Sequence, residues 1–314
     1  MLRRSRRHPP LRTFRVQYKH IVLYAIFFSA VFLAMGPLLP VSVKRVIPRQ
    51  QKELRRWSFD WAELFAQLKA ENTYTVLKNN LTISVISLDR ARERKDQTTS
   101  SLRQQAVSYE KFEAVDGLYS FDEKALFKYA GNRRLKRLRA MSGKSYQEAK
   151  EIYSSIDDGR FDRSLKESLH ESLRFGCLLS HVMLWNKMQR KHIQQLVVLE
   201  DDVTVAANFT SSVISVLHSL PESWDLLYLN GCFKKYGPRF ALGVTLSRGG
   251  LCTFGYVISS RGANKLLLAL EHSDKPIDHM IEDEVLKGKV IAFHADPPLV
   301  ESIGAIKSTL AYFS

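Results

Sequence analysis

Leu196-Val197-Val198-Leu199-Glu200-Asp201-Asp202-Val203, or LVVLEDDV, sets four apolar residues directly before three carboxylates. A short apolar run with β-branched residues at its centre reads as a strand buried on both faces. Three adjacent acids at its end repel one another unless a cation or basic partners face them. In open sheets whose strands alternate with helices, ligands bind outside the carboxyl ends of the strands. The acids therefore read as the rim of a site, with a solvated acidic turn as the plain alternative. In an extended chain Glu200 and Asp202 point to one side and Asp201 to the other. Two carboxylates would then share a hard divalent cation such as Mg²⁺ or Mn²⁺, or divide metal and ribose between them.

The surroundings of this strand set the fold class. TISVISL, residues 82–88, alternates like a strand and runs into Asp89-Arg90-Ala91-Arg92-Glu93-Arg94, where a helix can begin. Further apolar runs of strand length lie at 225–229, 253–259 and 290–293, with helical stretches between several of them. Strands alternating with helices predict an α/β domain with a mainly parallel sheet covered on both faces. Asp89, Arg90 and Arg94 at the end of the first strand are candidates to meet a nucleotide or phosphate, a charged helix surface being the alternative.

The formal charge of +15 invites a nucleic-acid-binding reading, but almost all of the excess lies in residues 1–56, where Glu53 is the only acid. The rest of the chain is close to neutral and lacks an aromatic-basic motif, which argues against that class. Between the basic flanks, IVLYAIFFSAVFLAMGPLLPVSV (residues 21–43) carries no charge and is long enough to cross a bilayer. We read residues 1–20 as a cytosolic tail, 21–43 as an uncleaved single-pass transmembrane signal anchor and 44–79 as a stem. The sequons at Asn80 and Asn208 both follow the span, consistent with a lumenal catalytic domain over 80–314. Within the stem, WSFDWAELFAQLKA (57–70) predicts an amphipathic helix that packs on its own domain. Residues 118–172, charged and punctuated by Gly131, Gly143 and Gly159, read as a helical insert. Its run from Arg133 to Arg139 reads as a solvated basic face.

His294 follows the apolar run 290–293 and is a candidate to complete a metal site with Glu200 and Asp202, against the commoner role of a hydrogen-bonded structural histidine. Cys177 and His181, four apart, share a helical face, yet two ligands do not make a zinc site. Ordering the helix or lining a pocket is the reading that remains. Ser180 beside His181 forms no triad, because adjacent helical residues point apart.

Several motifs occur in a fixed order: ISLDRARERKD, FEAVDG (112–117), FGCLLSHVMLW (175–185), VVLEDDV, DLLYLNG, GYVISSRGANKLL, PID and PPLVESIGAIKST. Together they resemble glycosyltransferase family 25, the lipopolysaccharide-type and procollagen galactosyltransferases, over roughly residues 80–310. The resemblance implies a GT-A-like nucleotide-sugar-binding domain, a UDP-sugar donor (UDP-galactose first), a divalent cation with Mn²⁺ foremost, and a glycan or glycoprotein acceptor. It also implies a Golgi or endoplasmic reticulum membrane enzyme. In that picture Asp202 is the leading metal ligand, and Glu200 and Asp201 help hold metal or ribose. Inversion needs one carboxylate to deprotonate the acceptor hydroxyl. Asp278 in Lys-Pro-Ile-Asp-His-Met matches the family's Pro-x-Asp, with Glu282, Asp283 and Glu284 as neighbours in the same stretch. An oxidising lumen allows one cysteine pair, Cys232 with Cys252, and leaves Cys177 free; three reduced thiols are the other reading.

Overall fold

A computed structural model describes residues 59–72, 81–118, 121, 123–141, 144, 145, 147, 148, 151 and 163–303. The basic tail, the predicted span at 21–43, most of the stem and the sequon asparagine Asn80 lie outside the described residues. Among the described residues no helix is long and apolar enough to cross a membrane.

Among the described residues, ten strands and eight helices succeed one another. They are α1 (Trp61–Ala70), β1 (Thr82–Ser87), α2 (Arg92–Gln104), β2 (Glu110–Glu113), α3 (Glu123–Tyr129), α4 (Asn132–Met141) and α5 (Arg163–Arg190). Then follow β3 (Gln195–Glu200), β4 (Val203–Val205), α6 (Phe209–Leu217), β5 (Leu226–Tyr228), β6 (Tyr236–Ala241), β7 (Val244–Ser247) and β8 (Gly255–Ser259). The described residues end with α7 (Ser260–Ala269), α8 (Ile277–Leu286), β9 (Ala292–Ala295) and β10 (Val300–Ser302).

Eight strands form one sheet in the order β2-β1-β3-β8-β5-β9-β7-β6, and β4 with β10 forms a separate antiparallel pair. The sheet is largely parallel in strand direction, six of its eight strands pointing the same way, as the strand-helix alternation predicts. β8 runs against both neighbours β3 and β5, and β7 against β9 and β6. The reversal at β8 follows from its connection, which returns through the β6–β7 hairpin instead of a crossover helix. β2, β4, β6, β7 and β10 are not among the strands read from sequence. They are short or carry exposed residues, so they lack an uninterrupted apolar signal.

β3 shows how the sheet is buried on both faces. Leu196 and Val198 join the core under α5, α7 and α8, whereas Val197 and Leu199 join the opposite core with α1 and α6. The period-two alternation of side chains sends consecutive residues of this strand into different layers. The predicted stem helix, α1, begins at an Asp60 cap whose carboxylate accepts from the Ala62 and Glu63 amides. It packs on the sheet through the buried Leu68, an edge-on Phe65–Phe240 contact, and a Lys69 hydrogen bond to the Phe240 carbonyl.

The described part of the insert is helical. Its basic run is not a uniformly solvated face: Arg133, Lys136 and Arg139 are exposed or partly so, but Arg134 is buried. Arg134 Nε donates to Glu171 Oε1 at 2.5 Å and its Nη2 to the Lys275 carbonyl at 2.7 Å. Helical periodicity explains this, because Arg134 falls on the stripe with Leu138 and Met141 that α4 turns toward its core.

Candidate functional site

The carboxyl ends of β1 and β3 lie side by side because the strands pair in parallel, Ile86 opposite Glu200. A cleft open to solvent sits above them. Its walls include Arg90 and Arg94 from the basic turn, Cys177 and His181 from α5, and Glu200 and Asp201.

Two glycines of the recognised motifs let α5 approach this edge. A side chain at Gly176 would begin 2.6 Å from the Val115 carbonyl oxygen, and one at Gly117 would begin 2.4 Å from that of Ser172. Helix backbone and the FEAVDG loop therefore touch directly, and the Ser180 hydroxyl accepts from the Val115 amide at 2.8 Å. Ser180 is thus a packing residue here, in keeping with the absence of a triad.

The three acids are held differently. Strand geometry stops at Glu200, and residues 201 and 202 form a turn, so the expected alternation of their side chains does not continue. Arg94 from the first turns of α2 faces both aspartates, 3.1 Å from Asp201 Oδ1 and 3.7 Å from Asp202 Oδ2. Asp201 Oδ2 also accepts from the Leu88 amide at 3.0 Å, which fastens β3 to the end of β1. Glu200 turns the other way, accepting from Thr253 Oγ1 at 2.7 Å and standing 3.5 Å from His181 Nε2. Asp202 keeps one buried oxygen, Oδ1, without a hydrogen-bond partner.

The electrostatics follow this division. Burial opposes the charge on Glu200, but the His181 imidazole, the Thr253 hydroxyl and Arg94 outweigh it and hold its carboxyl below the usual range. Burial raises Asp201, with Arg94 opposing. Burial and then the Glu200 charge raise Asp202 to about 7. A buried carboxylate oxygen with no partner, in a cluster of oxygen donors whose mutual repulsion raises its proton affinity, fits a hard divalent cation.

The other predicted residues divide between the cleft and its surroundings. Arg90 lines the cleft and is oriented by Asp116, Nε to Oδ2 at 2.7 Å. Asp89 does not reach the cleft: it is exposed and pairs with Lys111 of β2. Asp278, in the first turn of α8, accepts the Cys252 amide at 3.2 Å on one oxygen and the His279 amide on the other. Its charge adds to burial in raising both Cys177 and Tyr228, so it lies within electrostatic reach of both.

His294 is not brought to the acids. Val198, Tyr256, Tyr228 and His294 form one row across β3, β8, β5 and β9. Three strand spacings put about 14 Å between the row's ends. Its Nε2 instead shares a 2.9 Å hydrogen bond with Ser247, its ring stacks on Tyr228, and burial lowers it to about 4, so it is neutral at pH 7.

Cys232 and Cys252 form a disulfide and Cys177 is free. The bridge ties the segment before β6 to the segment before β8, where Cys252 adopts φ +66°. Consecutive residues of that second segment hold two of the predicted site carboxylates: the Cys252 amide holds Asp278 and the Thr253 hydroxyl holds Glu200. Sequence reading missed Thr253 and Asp116, because each is an ordinary polar residue until the fold sets it beside a charged partner.

Residues 80–236 match the profile of Glycosyltransferase family 25 (LPS biosynthesis protein). The chain is 31% identical over 152 residues to a "Glycosyltransferase 25 family member" of Drosophila melanogaster, covering 41% of this chain and 24% of that protein. It is 27% identical over 194 residues to human "Procollagen galactosyltransferase 2", covering 59% and 27%. It is 25% identical over 284 residues to the mouse "Inactive glycosyltransferase 25 family member 3", covering 87% and 38%. The chain spans less than half the length of these relatives. The matched stretch runs from β1 through the acid-bearing end of β3 and the first disulfide cysteine to the start of β6, and the chain accordingly belongs to glycosyltransferase family 25.

Proposed function

We propose that the domain is an inverting, metal-dependent hexosyltransferase that moves a hexose, galactose first among the candidates, from a UDP-sugar to an acceptor hydroxyl on a glycan or glycoprotein. The observation that carries this reading is the unpartnered buried oxygen of Asp202 in the acidic cluster beside a cleft with Arg90 and Arg94 on its wall. Asp202 is the leading ligand of the cation, with Mn²⁺ foremost, and Glu200 and Asp201 share metal or ribose. Bound there, the cation would neutralise the diphosphate as it leaves. The two arginines present guanidinium groups to the phosphates. Asp278, held by two backbone amides, takes the proton of the attacking hydroxyl.

The galactosyl specificity is supported only by relatives such as the human procollagen galactosyltransferase. The Cys232–Cys252 disulfide and the exposed sequon at Asn208, which opens α6, support a lumenal domain tethered through residues 21–43. A second reading, a membrane-tethered binding module without catalysis, is favoured by the mouse relative named inactive.

Release of UDP from UDP-galactose and UDP-glucose with Mn²⁺, together with calorimetric binding of UDP, separates the two. The transferase reading expects both turnover and binding, with turnover lost in Asp202→Ala of unchanged fold. UDP binding with no turnover on any donor supports the binding module. Full activity in Asp202→Ala removes the metal assignment.

A further inference from the structure

Cys177 and His181 lie one turn apart on α5, and the fold adds a third group that their spacing alone does not supply. The Cys177 sulfur, a His181 ring nitrogen and a Glu200 carboxylate oxygen all lie within 4.8 Å of one another. All three residues line the cleft, so an ion has a way in.

Two features separate this cluster from an ordinary buried ion pair. First, His181 Nε2 and Glu200 Oε1 stand 3.5 Å apart. That is long for an N–H···O hydrogen bond of about 2.7–3.2 Å. It is close to the edge, about 3.3 Å, of a tetrahedron whose center lies about 2.0–2.1 Å from nitrogen and oxygen ligands. Second, both groups are braced from behind. Thr253 Oγ1 donates to Glu200 Oε1 at 2.7 Å, and His181 Nδ1 lies 2.8 Å from the Tyr256 hydroxyl. Trp185 Nε1 donates to the same phenol oxygen at 3.0 Å, which leaves that oxygen a second lone pair for an Nδ1–H. With Nδ1–H donated there, Nε2 can offer its lone pair to an ion, in place of the Nε2–H that faces Glu200 when no ion is bound. Metal-binding histidines and carboxylates are oriented by outer hydrogen bonds of this kind.

We propose that Cys177, His181 and Glu200 form a binding site for zinc beside the hard-cation position at Asp202, with Glu200 serving the zinc in place of the metal-or-ribose role given it above and the fourth coordination position open to the cleft. A thiolate and an imidazole beside one carboxylate select a borderline-soft ion over Mg²⁺ or Mn²⁺. Binding replaces the thiol proton of Cys177 with the metal and releases that proton to solvent. The open position faces the cleft and is available to water or to an anionic ligand there.

The chain's three cysteines make the test specific, because two of them form the disulfide and Cys177 is the single thiol. Co²⁺ is titrated into the full chain without reductant or oxygen, and the thiolate-to-cobalt charge-transfer absorption is followed. The expected result is a band that saturates at one equivalent, is displaced by Zn²⁺, and resists a large excess of Mn²⁺. Cys177→Ser should abolish it, and His181→Gln and Glu200→Gln should each weaken cobalt binding at least tenfold, while Asp202→Asn leaves it in place. Thermal unfolding of the metal-free variants checks that each is folded. Absence of the band in wild-type protein with a titratable thiol overturns the site. So does a band indifferent to both His181→Gln and Glu200→Gln, or one lost in a folded Asp202→Asn. Neither UDP nor a sugar enters this measurement, so its outcome is independent of the transferase reading.

Discussion

Replacing Asp202 by asparagine should stabilise the metal-free protein, and by an amount that depends on pH. Burial, then the charge of Glu200, raises this carboxyl from an ordinary 3.8 to about 7. An acid raised on folding costs nothing below its ordinary value and a growing amount as pH rises toward its folded value. At pH 8 the cost of the ionised group, at 1.36 kcal/mol per pH unit between the two values, is about 4 kcal/mol. At pH 5 only the interval above 3.8 counts, and the cost falls to about 2 kcal/mol. The amide removes that cost but also one partner of Arg94, whose other partner, Asp201 at 3.1 Å, remains. A net gain of about 1–3 kcal/mol at pH 8 is therefore expected, a rise in Tm on the order of 5 °C for a domain of this size. Differential scanning calorimetry in EDTA at pH 5 and pH 8 reads it directly. With Mn²⁺ the order should invert, since only the wild type keeps the charged ligand. An Asp202→Asn protein that melts below wild type in EDTA at pH 8, or whose gain is no smaller at pH 5, would refute the reasoning.

Asp278→Asn should lower kcat by a factor on the order of 10²–10⁴ with UDP affinity unchanged, as removal of a general base does; steady-state kinetics beside calorimetry checks this. Cys232→Ser should cost about 3 kcal/mol, from a closed loop of 20 residues, and should depress kcat as well, because Cys252 orients Asp278; urea unfolding and a pH–rate profile report the two effects separately. Gly176→Ala drives a methyl group into the Val115 carbonyl and should destabilise by about 1–3 kcal/mol, measurable by urea denaturation. Asp225, fully buried and bonded by Arg261, Lys265 and the Ile291 amide, should cost about 3–5 kcal/mol when replaced by alanine, without altering the cleft.

The layers of the fold were legible because β1, β3, β5, β8 and β9 are short apolar runs, and such runs announce themselves. β6 was not, since Tyr236, Pro238 and Arg239 are exposed and only the pairing with β7 makes them a strand. Site residues carried by a strand end or helix start, Glu200, Asp201, Arg90 and Arg94, were readable as neighbours of one edge. His294 was misplaced for a physical reason: following a strand is not the same as following the right one, and two strands intervene between β3 and β9. The third member of the cluster with Cys177 and His181 was invisible because it is a residue already assigned to the acidic triplet. Asp89 read like Arg90, its neighbour, yet the turn sends one to Lys111 and the other to the cleft.

The short segment of Cys252 and Thr253 constrains how this domain can move. Asp278 rides on α8 and Glu200 on β3, but each is lashed to one of two residues whose Cα atoms are about 3.8 Å apart. Helix and sheet cannot slide against one another here without breaking a hydrogen bond to one of these two acids. The acids proposed to act in the transfer thus move as one rigid unit, anchored by the disulfide.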